Sequence, residues 1–94
     1  MRPTTNKTKI VATIGPASDT QEMLERLILA GLNVARLNFS HGDFADHADR
    51  IKRIRAAEVA TGRRVAIMAD LPGPKMRVGK IAPEPIQLVP GADF

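Results

Sequence analysis

Three short apolar runs alternate with two stretches of helical periodicity, and this rhythm constrains the fold more than any other feature. The first run, Lys9 to Ile14, is β-branched and is stopped by Gly15-Pro16, which reads as a strand. Ser18 or Asp19 then offers an N-cap, with Gln21 or Glu22 three residues on, as in a capping box. Leu24, Leu27, Ile28 and Met23 follow at helical spacing, and Gly31 suits the positive φ of a C′ position, so the spacing predicts a helix over 20–30. A second strand over 33–39 leads to a second helix over 44–60, with Phe44, Ala48, Ile51, Ile54 and Ala57 along one stripe and Gly62 closing it. The third strand covers 65–71 and is stopped by Pro72-Gly73-Pro74. Strand, helix, strand, helix, strand with tight loops implies right-handed crossovers and a parallel sheet, an α/β fold.

Length and composition narrow the reading further. The chain has 94 residues, 44% of them hydrophobic and 26% charged, which is globular rather than disordered. It contains no cysteine, which excludes a disulfide framework and a cysteine-based zinc site. The longest apolar run, Val65 to Ala69, is about five residues, against the roughly 20 a membrane helix needs. Met1 to Lys7 lacks the apolar core of a secretory signal, so a cytoplasmic protein without membrane partners is expected. The tail differs from the rest: Pro83, Pro85 and Pro90 surround one strand candidate, Ile86 to Val89, and Pro90-Gly91 reads as a turn, like a hairpin cut in half.

The net charge is +4, and six of the 14 basic residues lie between Arg50 and Arg64, with Glu58 as the only acid among them. Clustered cations can neutralise phosphates. The chain has no Tyr or Trp, however, and its three Phe are scattered, so no stacking platform for single strands exists. The cluster therefore reads as the solvated face of a helix, and no nucleic-acid partner is expected.

The second strand carries the chemistry. Ala35, Leu37 and Phe39 alternate with Arg36, Asn38 and Ser40. Strands of a parallel sheet are usually apolar on both faces, and the Arg-Asn-Ser row breaks that pattern at the carboxyl end, where α/β folds gather their ligands. Arginine offers a planar fork to a phosphate or carboxylate, while Asn and Ser offer neutral oxygens to a cation or nucleotide. His41-Gly42 follows at the entrance to the next helix, a favourable place for an anion. His41 reads first as a turn residue and His47 as a packed or surface residue. Asp70 ends the third strand on the face of Ala66 and Met68, where it needs a cation or donors or else caps the Gly73 turn. Lys75, Arg77 and Lys80 come next, and Arg77 is a candidate to join Arg36 around a phosphate.

These residues carry a family resemblance over about residues 8–94. Thr8-Lys9-Ile10-Val11-Ala12-Thr13-Ile14-Gly15-Pro16-Ala17-Ser18 resembles the opening of pyruvate kinases. Asn33-Val34-Ala35-Arg36-Leu37-Asn38-Phe39-Ser40-His41-Gly42 is similar to their second-strand signature. Asp70-Leu71-Pro72-Gly73-Pro74-Lys75-Met76-Arg77-Val78-Gly79 is similar to their third-strand segment.

The resemblance implies a TIM (β/α)8 barrel with a small β domain inserted after the third strand. Such a barrel takes about 250 residues. Residues 1–79 are then the first three strands and two helices of a partial barrel, and residues 80–94 the start of the inserted domain. It implies phosphoryl transfer from phosphoenolpyruvate to ADP, giving pyruvate and ATP, by a homo-oligomer. Arg36 matches the arginine at the substrate phosphate. Asn38, Ser40 and Asp70 match ligands of a monovalent cation, usually potassium, and Leu71 matches a ligand through its backbone carbonyl. Asn38, Phe39, Ser40 and His41 border the nucleotide, and Arg77 matches an arginine at its phosphates. Two departures stand out. Leu71 replaces a common Thr, which a carbonyl ligand tolerates. Lys75 replaces the Glu of potassium-dependent members, and a built-in ammonium there can supply the charge that potassium otherwise brings. The catalytic lysine and the ligands of the divalent ion, Mg2+ or Mn2+, match nothing in these 94 residues. The chain alone is therefore expected to be inactive; the alternative is a non-catalytic phosphate-binding or assembly module of the same fold.

Overall fold

The computed structural model describes residues 6–74, 76–83 and 85–93. Its elements are β1 (Ile10–Thr13), α1 (Gln21–Ala30), β2 (Leu32–Asn38), α2 (Phe44–Thr61) and β3 (Ala66–Asp70), each within one residue of the predicted bounds at either end. The strands form one parallel sheet in the order β1-β2-β3. Val11, Ala12 and Thr13 pair with Val34, Ala35 and Arg36, while Arg36 and Asn38 pair with Met68 and Asp70.

Both helices cover one face of this sheet. Leu24 and Ile28 of α1 and Ile54 and Ala57 of α2 pack with Ile14, Leu32, Ala35, Leu37 and Val65 in a single core. Full burial of a Leu, Ile or Val side chain contributes about 1.5–3 kcal/mol, so this layer is what holds the elements together. The opposite face is open: Val11 and Met68 are 50% and 43% exposed. In a closed (β/α)8 barrel that face lines the interior. The chain thus has the α/β architecture of a partial barrel, with three parallel strands and two helices.

The helix ends show where local pattern and structure part. The cap of α1 is Thr20, not Ser18 or Asp19, and its hydroxyl accepts from the Met23 amide at 3.2 Å. Thr20 is the last residue with extended backbone (φ −73°, ψ 149°), so only its side chain faces the first turn. Ser18 instead accepts from the Gly15 amide at 3.2 Å, and Asp19 accepts from Arg50 Nε at 3.1 Å. The capping box occurs at α2, where Asp43 and Asp46 each accept from the other's amide, at 2.8 and 3.2 Å. Gly62 closes α2 with φ 69°, a left-handed conformation that a side chain would strain.

The predicted apolar stripe of α2 is half right. Ile54 and Ala57 are buried and Ile51 partly so, but Phe44 is 82% exposed and Ala48 exposed. The buried stripe runs instead through His47, Ile51, Ile54 and Glu58, spaced by about one helical turn. Phe44 is the first helical residue, ahead of the turns that pack on the core. Glu58 is buried because it is fully used: one oxygen accepts from the Val65 amide at 3.3 Å and the other bonds Arg55.

The basic cluster is less solvated than its composition suggested. Arg50 and Arg53 share the carboxylate of Asp19, at 3.1 and 3.5 Å, and Arg63 donates to the Leu29 carbonyl at 3.4 Å. Lys52 and Arg64 are exposed. The strand expected over Ile86–Val89 does not form; among the described residues no segment offers it a ladder, and Pro85 and Pro90 bracket it. The turn at Pro90-Gly91 does form, with Ala92 N donating to the Val89 carbonyl at 3.1 Å. Among the described residues no helix is long and apolar enough to cross a membrane.

Candidate functional site at the carboxyl ends of the strands

The sheet brings its polar side chains together at the carboxyl end of its open face. Thr13, Arg36 and Asp70 come from three adjacent strands. Arg36 donates from one terminal nitrogen to Thr13 Oγ1 at 2.7 Å and from the other to an oxygen of Asp70. A guanidinium with both terminal nitrogens engaged has its plane fixed, which aims the remaining N–H groups at the oxygens of an anion. Thr13 was not among the candidate residues. Its signal was present: it stands on the same face as Arg36 and directly beside it in register.

Asn38 ends β2 opposite Asp70, so the two carry oxygens on neighbouring strands. Ser40 does not continue the row, because the strand stops at Asn38 and residues 39 and 40 form a turn. The turn is closed by His41 N donating to the Asn38 carbonyl at 3.2 Å and by Ser40 N donating to Asn38 Oδ1 at 3.0 Å. Phe39 N donates to the Asp70 carbonyl at 2.9 Å, which ties this turn to the end of β3.

Behind the turn lies a small aromatic cluster. Phe39 stacks on His47, with centroids 4.2 Å apart and planes 20° apart, and meets Phe44 at 6.1 Å. Together with Gly42, Asp43, Leu71 and Pro72 these rings line a cavity of about 320 Å³. His47 was expected to be packed or on the surface, and it is packed, at 3% exposure.

Leu71 and Pro72 line this cavity, but no described residue after β3 bonds Arg36 or its partners. Leu71 is 70% exposed, and Arg77 and Lys80 are exposed; among the described residues Arg77 makes no bond to Arg36 or its partners. Lys75 lies outside the described residues. The residues expected to hold a monovalent cation, Asn38, Ser40, Asp70 and the Leu71 carbonyl, all offer oxygen, the donor type hard cations favour. Asn38 Oδ1 and one Asp70 oxygen already accept from protein donors, which leaves their further lone pairs for an ion. Among the described residues no group of three or more His, Cys, Asp or Glu is placed to hold a metal.

Comparison with known proteins shows the family of the chain. The family model described as the pyruvate kinase barrel domain matches residues 5–94. The pyruvate kinase of Mycobacterium intracellulare is 54% identical over 77 residues, covering 82% of this chain and 16% of that protein. That of Staphylococcus saprophyticus is 54% identical over 87 residues, or 93% of this chain and 15% of that protein. That of Thermococcus litoralis is 52% identical over 86 residues, or 92% of this chain and 18% of that protein. The chain thus spans about a sixth of the length of these relatives. The chain belongs to the pyruvate kinase family.

Proposed function

We propose that the protein carrying this chain transfers a phosphoryl group from phosphoenolpyruvate to ADP, giving pyruvate and ATP. The observation that carries this reading is the fixed guanidinium of Arg36, held between Thr13 and Asp70 at the end of the open sheet face of a pyruvate kinase family chain. In this reading Arg36 binds the phosphate of phosphoenolpyruvate. Asn38, Phe39, Ser40 and His41 border the nucleotide, and Arg77 serves its phosphates. Asn38, Ser40, Asp70 and the Leu71 carbonyl hold the monovalent cation where one is used. Lys75 provides a fixed positive charge instead, and we read the enzyme as potassium-independent. Residues 80–94 begin a second, β-rich unit.

A divalent ion, Mg2+ or Mn2+, supplies charge stabilisation for the transferred group when bound. Nothing in these 94 residues matches its ligands or the catalytic lysine, so in this reading the chain by itself gives no turnover. The protein acts as a homo-oligomer. A coupled assay for pyruvate, run on the product of the whole reading frame and on the 94 residues alone, tests this. Turnover by the first and none by the second is expected; turnover by the 94 residues alone would refute it. Loss of most activity on omitting potassium would refute the potassium-independent reading.

A further inference from the structure

We propose that His47 is a positioning residue that sets the shape of the Phe39–Gly42 turn for the nucleotide. The inference rests on the reading above that residues 38–41 border the nucleotide. His47 sits in the first turns of α2, yet it acts on the turn at two points. Its ring stacks on Phe39, and its Nε2 lies 2.7 Å from the His41 carbonyl oxygen. A carbonyl only accepts, so Nε2–H is the donor, the Nε2–H tautomer of the neutral ring. Nδ1 is buried and has no partner. An apolar ring would fill the same space without an unpaired buried nitrogen, which is costly. The chemical contribution of histidine at this position is therefore its Nε2–H, and that bond goes to the turn.

That bond acts on the carbonyl side of the turn. Gly42 follows with φ 75°, so the chain reverses there without a side chain to stiffen it. The capping box of Asp43 and Asp46 fixes the far end, at the start of α2. The bonds to Asn38 and Asp70 hold the amides of residues 39–41, and the His47 bond holds the carbonyl of the exposed His41. Its loss leaves α2 packed through Ile54 and Ala57 and the His41 amide held by Asn38, but frees the His41 carbonyl to reorient.

The test uses the whole protein with His47→Phe, which keeps the ring, and His47→Gln, which keeps an N–H donor. His47→Phe is expected to raise KM for ADP about tenfold while leaving KM for phosphoenolpyruvate within about twofold, and His47→Gln to restore most of the loss. A merely structural role would lower thermal stability and move both KM values together. In the unsubstituted protein, 15N NMR is expected to show His47 as the Nε2–H tautomer, a readout that survives if a variant fails to fold. An unchanged KM for ADP in His47→Phe, an equal change for both substrates, or the Nδ1–H tautomer would overturn the proposal. Absence of any turnover of ADP by the unsubstituted protein would instead remove the nucleotide reading, and this proposal with it.

Discussion

Arg36 and Asp70 bond diagonally across β2 and β3: the register sets Met68 opposite Arg36 and Asp70 opposite Asn38, so the guanidinium reaches one pair further along. On its other side Arg36 meets Thr13, its register partner on β1. One side chain is thus anchored to both neighbouring strands. The side chains of the pair are 32% and 42% exposed, so its value lies in orientation more than in stability.

Replacing Arg36 by Lys tests that distinction. Lysine keeps the charge but cannot hold Thr13 and Asp70 with a planar fork. Urea unfolding is expected to shift by less than about 1 kcal/mol, as for an exposed pair. KM for phosphoenolpyruvate is expected to rise about 10- to 100-fold, the loss of one or two charge-assisted bonds. Equal saturation by substrate in both proteins would contradict the assignment.

Gly42 and Gly62 offer a matched comparison. Their φ values are 75° and 69°, and a Cβ added at either meets nothing closer than ordinary contact. Substitution by Ala therefore costs backbone strain alone, about 1–2 kcal/mol at each site by thermal melting. Only Gly42→Ala, in the turn behind the site, is expected to raise KM for ADP as well. A rise caused by Gly62→Ala would argue that stability, not turn shape, sets that parameter.

Glu58 anchors the entry to β3. Its oxygens serve the Val65 amide and Arg55, and Val65 is 1% exposed. Glu58→Ala strands a buried N–H, so denaturant unfolding is expected to show a loss of about 1–3 kcal/mol. Glu58→Gln retains an acceptor for that amide and is expected to lose less than half as much. If the two variants are equally destabilised, the Val65 bond is not the reason for this buried acid.

The open face predicts association. The sheet ends in β1 on one side and β3 on the other, and Val11 and Met68 stand exposed on its uncovered face. Exposed apolar faces and unpaired strand edges recruit partners. The 94-residue chain is expected to show a mass above that of one chain by light scattering, rising with concentration. A single monomeric mass across the range would contradict this.

Much of the fold is legible in the sequence because its signals are local. Apolar alternation and the helical period mark the strands and helices, and Gly31 and Gly62 mark the helix ends they occupy. The misreadings occur where neighbours compete. Ser18, Asp19 and Thr20 are all able to cap, and the choice falls to whichever side chain stands at the last extended residue. Ser40 was assigned to a strand face that ends two residues earlier, because its turn is closed by bonds around Asn38. Ile86–Val89 has strand composition but no ladder to join among the described residues.

The sequence by itself determined the order of the elements, the parallel sheet and the residues that carry the family's motifs. Tertiary structure decided who meets whom. Thr13 and Arg36 are 23 positions apart, and Arg36 and Asp70 are 34 apart. Asp19 draws Arg50 and Arg53 out of what read as a solvated cluster, and His47 turns its one donor to the His41 carbonyl. Local periodicity fixes which face a side chain takes, but strand register and helix packing fix its distance from a partner on another element, and binding chemistry depends on that distance.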